Sequence, residues 1–139
     1  MNKSVLRRVS PKTSGADWHQ DGAFLGEGIR SLNVWLTLSR CGDVAPGMDV
    51  VPLRLEEIVE TGTDGANFDW SVSPAVVEDV AGDTGVVRPL FDAGDALLFD
   101  HMFLHRTASD PAMSSERYAI ETWFFAPSAY PDDQVPLVL

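Results

Sequence analysis

Residues 31–39 read Ser-Leu-Asn-Val-Trp-Leu-Thr-Leu-Ser. Leu32, Val34, Leu36 and Leu38 alternate with Asn33, Trp35 and Thr37. Successive side chains of a strand point to opposite faces, so this stretch predicts a β-strand with one aliphatic face and one polar-aromatic face. Other segments carry the same signature. Arg117–Phe125 is rich in aromatic and β-branched residues and predicts a second strand. Gly85–Phe91 and Asp95–Phe99 predict two strands joined by the turn residues Asp92-Ala93-Gly94, and Met48–Leu53 another. Leu53–Glu60 (LRLEEIVE) is the one segment read as a short helix, while Thr61–Asp69 and Ala108–Glu116 read as loops. Short strands punctuated by turn residues, with no βαβ alternation, predict an antiparallel sandwich or barrel.

The whole chain has 139 residues. At about 100–200 residues per domain this predicts one domain over 1–139, with irregular ends at 1–15 and 127–139. Lys plus Arg number 10 against 21 Asp plus Glu, a net charge of −11. Such a charge repels phosphate backbones and anionic lipid, which excludes nucleic acid and membrane as expected partners. There is no run long and apolar enough to span a bilayer, no apolar core of signal-peptide length at the start, and no GxGxxG or P-loop. The single cysteine, Cys41, cannot form an internal disulfide, which fits a reducing cytoplasm.

Three histidines, His19, His101 and His105, confine the metal question. His19 and Asp21 stand two apart in Trp18-His19-Gln20-Asp21-Gly22; on a strand they would share a face and grip one ion side by side. A histidine from 99–105 would complete two imidazoles and a carboxylate. That set leaves the opposite positions open and suits non-haem Fe(II). His101 and His105 are also i, i+4 and would pair on a helix; the strand context favours the first reading. Arg117 follows His105 by twelve residues across a turn-rich loop, and a hairpin would bring the two together. A buried guanidinium there is a carboxylate receptor, because its planar fork binds both oxygens.

In order, the strings WHQDGAF, SLNVWLTL, APGMDVVP, GDALLFDHMFLHRT and ERYAIETWFFAP resemble the phytanoyl-CoA dioxygenase family, from about Asp17 to Pro127. These are Fe(II)- and 2-oxoglutarate-dependent oxygenases with a double-stranded β-helix, the cupin-like jelly roll. The resemblance implies that His19, Asp21 and His105 hold iron and that Arg117 binds the distal carboxylate of 2-oxoglutarate. It also places Trp35 on the co-substrate pocket, with Asn33 on the same face and Gln20 turned away from the metal. It further implies O2 and a small organic molecule as the other reactants. Halogenases similar to this family lack the carboxylate, so Asp21 argues for hydroxylation. Phe24, Phe103 and Trp123 are candidate lining residues.

The chain departs from the family pattern at its start. Only eighteen residues precede His19, so the resemblance implies an N-terminally shortened domain, and none of Lys3, Arg7, Arg8 and Lys12 is assigned to the co-substrate. With Trp35 and Asn33 inward, Leu32, Val34, Leu36 and Leu38 would face outward as an apolar stripe, expected to be buried in a homodimer; the alternative makes that stripe the core face. The competing functions are a cupin-like isomerase or epimerase holding another metal, and a non-catalytic binding domain. Arg117 separates them, since only the oxygenase needs a carboxylate anchor there.

Overall fold

The structure, a computed structural model, describes residues 2–13 and 15–134. The element order is β1 (Asn2–Val9), α1 (Gly22–Leu25), β2 (Ser31–Thr37), β3 (Gly47–Val50), α2 (Pro74–Ala81), a 3-10 turn (Gly82–Thr84), β4 (Ala96–Phe99), β5 (His105–Ala108) and β6 (Arg117–Phe125). A four-stranded antiparallel sheet has the order β1-β6-β2-β4, and a two-stranded sheet pairs β3 with β5. Single bridges, His19–His105 on one side and Val50–Val87 on the other, widen the smaller sheet. The mainly β, antiparallel architecture expected from the strand pattern is present, as is the jelly roll that the resemblance implies.

The alternation in β2 decides which face is inside. Asn33, Trp35 and Thr37 are buried; Leu32 and Leu38 are 45% exposed. The aliphatic stripe therefore faces out. Cross-strand register extends it: Leu32 opposes Phe124, Leu36 opposes Ile120, Val34 opposes Leu98, and Ile120 opposes Leu6. The inner face packs Trp35, Phe99 and Ala119 against Cys41, Ala45, Met48, Val50 and Phe91. A second cluster seats Val77 and Ala81 of α2 on Trp18, Val51, Val72 and Leu104.

Several local expectations are corrected. The irregular end expected over 1–15 contains a strand, since Asn2–Val9 lies as an edge strand along Arg117–Phe124. Residues 127–134 hold only turns and the bridge partner Ala129, and 135–139 lie outside the described residues. Leu53–Glu60 is not helical. Its Leu53, Leu55 and Val59 all pack on the α2 cluster, and the Val59 N–H is taken by the Gln20 side chain, so tertiary contacts override propensity. The helix stands instead at Pro74–Ala81, with Ser73 Oγ accepting from the Val76 N–H and Pro at the first turn. Residues 85–91 make only the bridges at Val87 and Phe91, since Pro89 has no N–H to continue a ladder. β5 and β6 are not a hairpin pair but belong to opposite sheets, which face each other across the interior.

Candidate metal centre

His19 and His105 are brought together by backbone pairing. The His19 N–H donates to the His105 carbonyl at 2.9 Å and the His105 N–H returns to the His19 carbonyl at 3.1 Å. Directly opposed residues of an antiparallel pair hold their side chains together, and the two imidazole centroids lie 4.3 Å apart. Asp21 arrives differently from the strand reading. Its backbone is αR (φ −57, ψ −31) at the N-cap of α1, so the chain has already turned. Gly22 permits that turn to pack closely, with its N–H on the His101 carbonyl at 2.8 Å and Ile58 where a Cβ would stand. One ligand atom from each of His19, Asp21 and His105 lies within 4.8 Å of the others, and all three residues are buried.

Each group is oriented from behind. His19 Nδ1 lies 2.6 Å from the Asp17 carbonyl and His105 Nδ1 2.9 Å from the Phe103 carbonyl. A carbonyl only accepts, so each Nδ1 carries the proton and each neutral Nε2 keeps its lone pair. Asp21 Oδ2 accepts from Trp123 Nε1 at 2.7 Å and Asn33 Nδ2 at 2.9 Å, which leaves Oδ1 turned to His19 Nε2 at 3.5 Å. Burial would raise the Asp21 pKa, but at acidic pH a hydrogen bond from the protonated His19, the charge of both protonated imidazoles and the Trp123 donor hold it at about 2. Burial, aided by the neighbouring His19, pushes His105 down to about 4. Burial acts against the charge on His19 too, yet its hydrogen bond and attraction to Asp21 prevail and raise its pKa. Two imidazoles with pinned tautomers and one ionised carboxylate, each held by an outer partner, fit a divalent transition metal.

Arg117, on the inner face of β6, is 3% exposed. Its Nη1 donates to the Gly47 carbonyl at 2.9 Å, its guanidinium lies 5.3 Å from the Trp35 ring centroid, and its buried Nε meets no acceptor. Burial lowers its pKa, and no carboxylate of the described residues forms an ion pair with it. A desolvated cation with a spare donor is built to receive an anion. The triad, Trp35 and Arg117 line one cavity of about 320 Å³, together with Arg7, Arg8, Arg106, Phe24, Glu121 and Trp123. Of the weakly assigned basic residues, Arg7 thus reaches the cavity from β1, paired with Glu121.

Other sequence candidates lie elsewhere. His101 bonds the Glu27 carbonyl at 3.2 Å and stands outside the triad. Asn33 sits behind the Asp21 carboxylate and is not among the residues lining the cavity. Phe103 packs on the Trp35 cluster. Gln20 does turn away: its amide donates to the Glu57 and Met102 carbonyls and its oxygen accepts from Val59. The donor role of Trp123 was not read from the sequence, where only its aromatic character marked it.

No protein-family model and no curated protein matches the sequence. Solved structures do share the fold. EvdO2 from Micromonospora carbonacea var. aurantiaca, complexed with 2-oxoglutarate, superposes with a TM-score of 0.60 at 16% identity, covering 97% of this chain and 56% of that one. EctD from S. alaskensis, solved with 2-oxoglutarate and 5-hydroxyectoine, gives 0.67 at 17%, covering 91% and 44%. ThoJ, described as a non-heme monooxygenase, gives 0.63 at 17%, covering 94% and 46%. The chain therefore spans about half the length of the solved structures it matches. At this identity the likeness establishes the double-stranded β-helix of non-haem oxygenases as the fold.

Proposed function

We propose that this chain is an Fe(II)- and 2-oxoglutarate-dependent oxygenase that hydroxylates a small organic substrate. The observation that carries the reading is the pairing, in one cavity, of the His19–Asp21–His105 triad with a buried, unpaired guanidinium. When bound, Fe(II) with 2-oxoglutarate and O2 supplies the oxidant that replaces a C–H hydrogen by hydroxyl. The chain's own work is positional. His19, Asp21 and His105 present Nε2, Oδ1 and Nε2 to the ion. Trp123 and Asn33 hold the Asp21 carboxylate in place, and the Asp17 and Phe103 carbonyls hold the two imidazoles. Arg117 takes the distal carboxylate of 2-oxoglutarate, with Trp35 beneath the guanidinium. An isomerase or epimerase on the same ligands would have no use for Arg117.

The solved relatives bound to 2-oxoglutarate support the co-substrate assignment. The test is anaerobic: Fe(II) and 2-oxoglutarate added together are expected to give the visible charge-transfer band of the chelated keto acid. A folded, iron-loaded sample without that band overturns the proposal.

The outer face of the large sheet supports self-association. Leu6, Leu98 and Phe124 are 67%, 59% and 46% exposed there beside the Leu32–Leu38 stripe. The charge at its border, Arg8, is already paired with Glu116, so two such faces meet without burying an unpaired ion. A homodimer is expected by light scattering after size exclusion, and Leu98→Lys is expected to yield monomer; a wild-type monomer at micromolar concentration refutes this.

A further inference from the structure

The cavity has two chemistries. One part of the lining carries Arg7, Arg106 and Arg117, the first two paired with Glu121 and Asp49. The other side of the triad is aromatic. Phe24, in the turn of α1 directly after Asp21, lines the mouth and is 50% exposed. Its ring lies 5.9 Å from His19 and 5.9 Å from Trp70. Trp70 stands edge-on to His19 at 5.6 Å, and Phe68 stacks on Trp70 at 4.9 Å with only 4° between the planes. Phe68 is 53% exposed.

Phe68 and Trp70 come from the segment 61–71, outside the strings that carry the sequence resemblance. They are nevertheless fixed. The Phe68 N–H donates to Ser71 Oγ at 2.9 Å, and that hydroxyl donates back to the Phe68 carbonyl at 3.0 Å. The Val72 N–H bonds the Trp18 carbonyl at 2.8 Å, and Asn67 bonds Asp17 at 2.6 Å, so the turn is moored to the segment that bears His19. Large rings held at the surface beside a metal triad, joined to its cavity through Phe24, mark a recognition surface.

We infer that Phe24, Trp70 and Phe68 form a docking rim for a planar ring of the primary substrate, whose reacting carbon extends past Phe24 to the triad. The term substrate rests on the oxygenase reading; the ring site does not. Planarity follows from the parallel Phe68–Trp70 stack, onto which a further flat ring adds as the next layer.

The experiment compares naphthalene-2-methanol with its saturated counterpart, decahydronaphthalene-2-methanol, binding to metal-free protein by saturation-transfer NMR titration. The planar alcohol is expected to bind about fivefold tighter, the scale of one aromatic pair. Phe68→Ala is expected to abolish that preference and Phe68→Trp to restore it. Equal binding of the two alcohols overturns the inference, as does a preference that survives Phe68→Ala. Because no iron or 2-oxoglutarate is present, a positive ring result without the charge-transfer band defeats the oxygenase reading alone. The band without ring preference defeats the rim alone.

Discussion

Replacing Arg117 with methionine separates a receptor from a structural cation. In the ligand-free protein this guanidinium is 3% exposed, makes one hydrogen bond to the Gly47 carbonyl, leaves Nε without an acceptor and has no carboxylate partner. A buried, uncompensated charge costs several kcal/mol, and an unsatisfied buried donor about 1–3 kcal/mol. Methionine removes both costs and keeps the aliphatic volume. Against this stand the lost bond to Gly47, about 1 kcal/mol, and the contact with Trp35, up to about 2 kcal/mol. The expected net effect is stabilisation of the ligand-free protein by about 1–2 kcal/mol, a rise in Tm of roughly 3–6 °C for a chain of this size. The second half of the prediction has the opposite sign. Metal with 2-oxoglutarate at about 100 times Kd is expected to stabilise the wild type by about 2.7 kcal/mol over metal alone, and the variant not at all. Thermal unfolding with and without 2-oxoglutarate reads both halves. If Arg117→Met is instead less stable than wild type by more than about 1 kcal/mol, the guanidinium is part of the scaffold, and its assignment as an anion receptor fails.

Three further expectations concern the shell around the triad. Trp123→Phe keeps the ring but removes the 2.7 Å donor to Asp21 Oδ2, so Fe(II) or Zn(II) affinity is expected to fall by about 10–100-fold, read by competition with a chelating dye. Gln20→Leu strands the Val59 N–H and the Glu57 and Met102 carbonyls together, and urea unfolding is expected to show a loss of roughly 3 kcal/mol or more. The third concerns pH. His105 is held near 4 against an ordinary 6.5, so the unfolded chain binds its proton first and the metal-free fold loses up to about 3 kcal/mol as pH falls between those values. Asp21, held at about 2, removes roughly 2 kcal/mol more as pH falls from 3.8 through 2. The raised His19 acts oppositely, adding stability below 6.5 that fades as pH rises through its folded pKa. That same proton competes with metal, so metal affinity is expected to weaken on acidification from neutral pH. A His105→Asn variant with the same acid limb in urea titrations, or a metal affinity flat down to pH 5, contradicts this account.

The amino-acid sequence alone determined what is local. Period-two alternation set the two faces of β2 correctly, because a strand's side chains alternate whatever lies next to it. The β6 bounds were legible for the same reason, and the capped helix at Pro74 was available in Ser73-Pro74 although it went unread. The scarcity of histidine and one closely spaced His-Asp pair were enough to name the three residues that converge. What the sequence did not hold is which strand lies beside which. The bridge that joins His19 to His105 spans most of the chain, and the placement of Arg117 across the interior depends on β5 and β6 joining different sheets. Hydrogen-bond partners are likewise a property of the fold. Trp123 reaches Asp21 over 102 positions and Gln20 reaches Met102 over 82. Pairings at such separations leave no periodic trace, because each partner satisfies its own local pattern equally well in many arrangements; only closing the two sheets around a shared interior makes one of them the arrangement that leaves the fewest buried polar groups unpaired.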